Sequence, residues 1–310
     1  MSKILLTGGN GYLGRYIYRY LKESGHEVII TSRKKERGVR YLNLLEEKSI
    51  NGVCKDIDIV IHTATMDEKI IKGNEKDAYL INSYGTRNLY LDAISNGVKK
   101  FIYFSTFHVY GKSIGIIDEN TEINSKSDYG LSHYFAEKFI RQFSDESNCE
   151  SVILRLTNGI GVPIDNDKWY LVVNDFCKTI YETGQLIIKS NGLVYRDFVD
   201  IEDVVYAVDN FIKSDVDRTY QVYNISSQKS YSIKDVAEII KSIYEKRYSK
   251  VGNIVIKEAT NYEIENFKKT KLLVNSEKLR KRGWESKISL EDTVNKIFYY
   301  LEKNKRKIRM

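Results

Sequence analysis

The chain has 310 residues, enough for one large or two interlocked domains, and its 42% hydrophobic and 29% charged content is ordinary for a globular protein. The net charge of +7 is modest and its lysines and arginines are dispersed, which argues against nucleic acid as a partner and suits an anionic substrate. No apolar run is long enough to span a membrane, and Cys54, Cys149 and Cys177 are too few and too widely spaced for a disulfide framework or a zinc site.

No leader is expected, because Met1-Ser2-Lys3 opens directly onto an apolar run; with the cysteine usage, this predicts a cytoplasmic protein without a metal. The first strand, Ile4–Leu6, enters Thr7-Gly8-Gly9-Asn10-Gly11-Tyr12-Leu13-Gly14, and Leu13, Ile17, Tyr20 and Leu21 then repeat at helical spacing. Gly9, Gly11 and Gly14 fit G-x-G-x-x-G, while Gly8, Gly11 and Gly14 fit T-G-x-x-G-x-x-G. Glycine serves such a turn by allowing positive φ, by letting a diphosphate approach bare backbone, and by letting helix pack on strand. The helix start adds unpaired N–H groups and the positive end of its dipole. Gly8, Gly11, Tyr12, Leu13 and Gly14 are therefore the expected contacts to a dinucleotide; the plainer reading is a packing turn.

Gly25 ends that helix, and Glu27–Thr31 is the second strand. An NAD site usually carries an acid just after this strand, but here the residues are Thr31-Ser32-Arg33-Lys34-Lys35. Ser32 and Arg33 suit a 2′-phosphate, which predicts NADP, with NAD as the alternative cofactor; an exposed basic loop is the other reading. Val39–Leu42 is a short third strand and Ile57–His62 a buried fourth, so Thr63 and Ala64 are expected beside the cofactor at its carboxyl end. Asp77–Asn96 has helical apolar spacing and stops at Gly97, and Lys100–Ser105 is the fifth strand. This alternation predicts an α/β fold, a doubly wound parallel (Rossmann) sheet.

The remaining chain reads as a smaller mixed α/β lobe threaded through the first domain. The expected division is 1–157 with about 186–225 for the dinucleotide domain, and about 158–185 with 226–310 for the lobe. Ser232 with Asp235, and Ser289 with Asp292, read as N-cap pairs opening helices in that lobe. The basic run Lys303-Asn304-Lys305-Arg306-Lys307 reads as a solvated tail.

Phe104-Ser105-Thr106-Phe107-His108-Val109-Tyr110-Gly111 and Asp128-Tyr129-Gly130-Leu131-Ser132-His133-Tyr134-Phe135-Ala136-Glu137 resemble an extended short-chain dehydrogenase/reductase of the NAD-dependent epimerase/dehydratase family, which acts mostly on nucleotide sugars. Further matches are Asn82-Ser83-Tyr84-Gly85-Thr86-Arg87-Asn88-Leu89, Leu154–Gly161, Tyr195–Asp203 and Arg282-Gly283-Trp284. The resemblance implies Tyr129 as acid/base, Thr106 as the hydroxyl holding the same substrate oxygen, and position 133 as the residue that bonds the nicotinamide ribose and lowers the tyrosine pKa. That residue is normally lysine; here it is His133, which lowers the tyrosine pKa only if protonated. The departure favours ketone reduction, in which Tyr129 serves as an acid. Tyr134 with Lys138 offers a rival register, although five residues rotate a helix by about 140°, and Tyr134 also reads as an aromatic at a helix interface.

Dehydrating members place an Asp-Glu pair where this chain has Phe107 and His108, so dehydration is not expected. His108 is either a substrate-facing donor or a histidine satisfied at the loop edge. Asn158 and Arg196 match positions that hold the nucleotide diphosphate; an ion pair with Asp197 or Asp203 is the structural alternative for Arg196. Asn174, Trp169 and Tyr170 are placed at the nucleotide or sugar pocket, or the two aromatics are lobe core. The implied partner is a nucleotide-diphosphate sugar. The implied activity is NAD(P)-dependent reduction of a 4-keto sugar nucleotide, with a 4-epimerase or a non-catalytic binding protein as alternatives. The resemblance also implies a homodimer through segments near 82–95 and 129–143, where Leu89, Tyr90, Phe135 and Phe139 are the large side chains.

Overall fold

The computed structural model describes residues 2–164, 168–214, 219–267 and 271–304. Residues 305–307 of the basic run lie outside the described residues. Seven strands form one sheet: β1 (Lys3–Thr7), β2 (Glu27–Ser32), β3 (Arg40–Tyr41), β4 (Ile59–His62), β5 (Lys100–Thr106), β6 (Glu150–Leu156) and β7 (Tyr220–Ile225). Their order is β7-β6-β5-β4-β1-β2-β3, and every pair is parallel. The strand order reverses between β1 and β4, where Thr7 lies opposite His62. Their carboxyl ends open the crevice in which such sheets bind ligands.

The apolar runs are continuous because both faces of the sheet are covered. Ile4, Leu6, Ile59, Ile61, Ile102 and Phe104 point into one core, shared with Ile17 and Leu21 of α1 (Tyr12–Glu23). Leu5, Val60, Phe101, Tyr103 and Ile153 point into the other, against Leu89 and Tyr90 of α2 (Thr86–Ser95) and Ala136 and Ile140 of α3 (Asp128–Ser144). The expected single helix over 77–96 is interrupted by a π-helical segment, Tyr79–Gly85. The wider turn accompanies two buried bonds to α3: Asn82 Nδ2 donates to Ser132 Oγ at 3.1 Å and Ser83 Oγ to the Ser132 carbonyl at 2.8 Å.

A third core joins α4 (Val172–Thr183) to α6 (Ile233–Tyr248) and α7 (Leu290–Lys303), while α5 (Ile201–Lys213) packs on the sheet with α1. Both expected N-cap pairs form full capping boxes, at Ser232/Asp235 and Ser289/Asp292, each contributing about 1 kcal/mol. The segments interleave between the sheet and the lobe. Gln185–Ile188 pairs with Asn253–Ile256 and buries Leu186 and Ile188 in the lobe. Leu279 and Trp284, from beyond residue 226, instead pack in the sheet core. The lobe is anchored where Tyr12 and Tyr16 of α1 donate to the carbonyls of Gly161 and Val162 at 2.7 and 2.8 Å. Among the described residues the three cysteines are free and buried, and no helix is long and apolar enough to cross a membrane.

Candidate active site

The glycine loop closes tightly over the end of β1. Gly8 has φ +70°, and a Cβ on Gly14 would stand 2.1 Å from the Gly8 carbonyl oxygen, so neither position accepts a side chain without moving backbone. Helix α1 starts at Gly11 with no capping side chain and no acid in its first turn. Its N–H groups and dipole are thus left for an anion. Tyr12 sends its side chain to Gly161, so only its backbone faces the loop, and Leu13 packs against the sheet core. At the end of β2 the half-buried Ser32 accepts from Lys34 N at 3.0 Å, and Arg33 is exposed.

Thr63 and Ala64 leave β4 with their backbone N–H groups both donating to Thr7 Oγ1 at 3.2 Å. That hydroxyl's own proton therefore goes to His62 Nδ1, 2.6 Å away, and His62 Nε2–H donates to Thr86 Oγ1 at 2.9 Å. Burial lowers the His62 pKa to about 3. His62 is a neutral strut under the crevice.

Tyr129 lies in the first turn of α3, whose cap, Ser127, accepts from Gly130 N at 3.2 Å. Thr106 ends β5, and its side chain lies beside that of Tyr129. The Tyr129 pKa is raised, first by burial and then by the negative charges of Asp67 and Glu68, with the neighbouring Thr106 side chain opposing. His133 follows one turn later, its ring 4.7 Å from that of Tyr129. It is 2% exposed, and burial, aided by its histidine neighbours, lowers its pKa to about 3. The condition under which His133 would lower the Tyr129 pKa, a protonated ring, is disfavoured at that depth: burial holds His133 neutral, which leaves it hydrogen bonding as its means of action.

The rival register separates from the site. Tyr134 packs beside Val109, Tyr110 and Ile117, and exposed Lys138 lies over its ring at 5.2 Å. Thr106, His108, Tyr129, Asn158 and Arg196 instead line one cleft of about 800 Å³. His108 lies 5.7 Å from the Tyr129 ring and is kept uncharged mainly by burial. Asn158 Nδ2 donates to the Asp197 carbonyl at 2.8 Å, fixing the side chain at the wall. Arg196 forms neither anticipated ion pair: Asp197 accepts from Thr157 and Ser227, and Asp203 from Ser286 and the backbone at Lys287 and Ile288. Among the described residues its guanidinium gives one bond, to the Tyr195 carbonyl at 3.0 Å, leaving donors for an anion.

Three residues placed at the pocket divide. Tyr170 lines the cleft, whereas Trp169 packs on the lobe core against Tyr300. Asn174 stands apart from the cleft surface: it is 0% exposed, its Nδ2 donates to the Lys168 carbonyl at 3.2 Å, and its Oδ1 has no partner.

Asp67 and Glu68 were not singled out as site residues from the sequence. Asp67 caps the short helix Glu68–Ile71, bonds Lys168, and accepts from the Tyr170 hydroxyl at 3.1 Å, tying the two lobes across the cleft. Only the adjacent acids were legible; their partners lie about a hundred residues away. Beneath the site, Glu137 forms a two-pronged pair with Arg155 at 2.6 and 3.0 Å and accepts from Ser105 Oγ at 2.6 Å. Breaking such a buried pair costs about 3–5 kcal/mol. Among the described residues no cluster of His, Cys, Asp and Glu could hold a metal. The residues fit a dinucleotide on three counts: the uncapped helix, the loop that excludes side chains, and the buried His133 Nε2, which has no partner.

Comparison with known proteins follows the same outline. The profile of the NAD dependent epimerase/dehydratase family matches residues 4–226. The chain is 26% identical to a putative UDP-glucose 4-epimerase of Methanocaldococcus jannaschii, covering 98% of this chain and 99% of that one. It is 26% identical to mouse dTDP-D-glucose 4,6-dehydratase, over 98% and 89% of the two chains. The crystal structure of UDP-glucose 4-epimerase from Thermotoga maritima with UDP-glucose superimposes with a TM-score of 0.83 at 24% identity, covering 98% of this chain and all of that one.

Proposed function

Because this chain belongs to the NAD dependent epimerase/dehydratase family, we propose that it acts on a nucleoside-diphosphate sugar with a bound nicotinamide dinucleotide, most specifically as a 4-epimerase. The observation that carries this reading is the Tyr129–Thr106 pair on the same cleft as Asn158 and Arg196. When bound, the dinucleotide supplies the hydride acceptor and donor. Tyr129 removes and returns the proton of the sugar oxygen, Thr106 holds that oxygen, and Arg196 and Asn158 hold the diphosphate. Full-length likeness to proteins named as UDP-glucose 4-epimerases supports this choice of reaction. The mouse relative's dehydration is not carried over, since Phe107 and His108 provide no carboxylic acid at those positions.

One observation favours a second reading, reduction of a 4-keto sugar nucleotide. A tyrosine that keeps its proton, beside a neutral His133, is a better donor than base. Incubation with UDP-glucose or UDP-galactose and catalytic NAD+ tests the first reading, which requires epimer interconversion without net cofactor change. Stoichiometric oxidation of a reduced cofactor by a 4-keto sugar nucleotide would replace it with the second. Binding without either reaction would leave a non-catalytic binding protein.

For the cofactor, Ser32 and the exposed Arg33 support NADP over NAD. Arg33→Ala is expected to weaken NADPH roughly tenfold, the loss of a charge-assisted bond, while leaving NADH unchanged in a fluorescence titration. Equal effects on both would reject the phosphate assignment.

The homodimer is also a proposal, on a revised surface. Leu89 and Tyr90 are 0% exposed and belong to the sheet core, which removes them from any interface. Leu80, Tyr84 and Phe135 are exposed, and Tyr79 touches Phe135 with ring centroids 6.1 Å apart. Phe135→Glu is expected to convert the dimer to a monomer at micromolar concentration in sedimentation.

A further inference from the structure

Among the described residues His133 is bonded on one side only. Its Nδ1 is 2.7 Å from the Tyr103 hydroxyl, and its Nε2 is buried without a partner. Tyr103 comes from the middle of β5, fully buried, with its ring stacked between His62 at 5.5 Å and His133 at 5.9 Å. Among the described residues its hydroxyl has no other hydrogen-bond partner than His133. Buried hydroxyl protons find acceptors, and a neutral imidazole has one acceptor and one donor. The phenol proton therefore goes to Nδ1, which assigns the ring proton to Nε2.

We propose that Tyr103 is a positioning residue of this site: by donating to His133 Nδ1 it holds the ring as the Nε2–H tautomer and presents a neutral N–H donor to a ribose hydroxyl of the bound dinucleotide. The proposal rests on the dinucleotide site proposed above. It adds the reason that histidine serves at the position where the resemblance implies lysine: the donor survives and the charge does not. Without Tyr103 the ring is free to turn or to move its proton to Nδ1, and the donor is lost.

Two measurements on the full chain test this. In a long-range proton–nitrogen spectrum of the ligand-free protein at neutral pH, His133 should show a neutral ring protonated at Nε2, identified by its loss in His133→Ala. In Tyr103→Phe that pattern should give way to a tautomer mixture. Titration with NADP+ and with NAD+ should show roughly tenfold weaker binding of whichever binds in Tyr103→Phe, and no further loss when the same change is made in His133→Ala, since the coupling of a contacting pair appears only when both members are present. A neutral Nδ1–H ring or an imidazolium in the parent spectrum would overturn the proposal, as would equal losses of that affinity in both backgrounds. A purely structural Tyr103 would produce the latter result. Absence of any dinucleotide binding would defeat the proposed function and with it the ribose contact, while the spectrum would still decide whether Tyr103 sets the tautomer.

Discussion

Tyr129→Phe is expected to lower turnover by roughly a thousandfold, within the range of a single acid–base group, with NAD+ affinity little changed. On the cleft it is Tyr129 that stands beside Thr106. The Thr106 hydroxyl ionises far too weakly to take over, and His108 meets the Tyr129 ring edge-on. The pH dependence of the parent enzyme follows from the same tyrosine. Its pKa is raised by burial, Asp67 and Glu68, so near neutrality it is almost wholly protonated. Removing a proton from a sugar hydroxyl requires the phenolate, whose fraction grows about tenfold per pH unit below the pKa. The oxidative half-reaction should therefore climb steadily with pH through the alkaline range, while the reductive half, which uses the phenol, stays flat. Initial rates in both directions across pH measure this. Full activity in Tyr129→Phe would remove Tyr129 from the chemistry.

His133→Lys is expected to raise the oxidative rate at neutral pH by about tenfold or more. An ammonium within several ångströms of a phenol lowers its pKa by about 1–3 units, and each unit multiplies the phenolate fraction tenfold. The pH profile should move in the acidic direction while the reductive rate changes little. Tyr103 limits the gain: its proton, now given to Nδ1 at 2.7 Å, would meet a group with donors only. Combining the change with Tyr103→Phe removes that conflict, and the double variant should exceed the single one. An unmoved pH profile would mean that position 133 does not act on Tyr129 electrostatically.

Much of the architecture was written in local pattern. The apolar runs at Ile4–Leu6 and Lys100–Ser105, the glycine loop, and the cap pairs at Ser232 and Ser289 are requirements that contiguous residues state by themselves. Backbone conformation, strand periodicity and cap bonds all act within a few positions. That Tyr129 and Tyr134 face different ways was legible for the same reason, since helical rotation is a local quantity. Contacts and charge states were not. Leu89 and Tyr90 have the look of an interface until the sheet covers them, and Leu186 and Trp284 join cores assigned to the other lobe. Asp67 finds Tyr170 across 103 positions of chain. The charge of His133 is the sharpest instance: the sequence places a titratable ring at the lysine position, but its proton depends on everything packed around it. Desolvation and the Tyr103 hydroxyl, both products of the assembled fold, decide that it is a neutral donor.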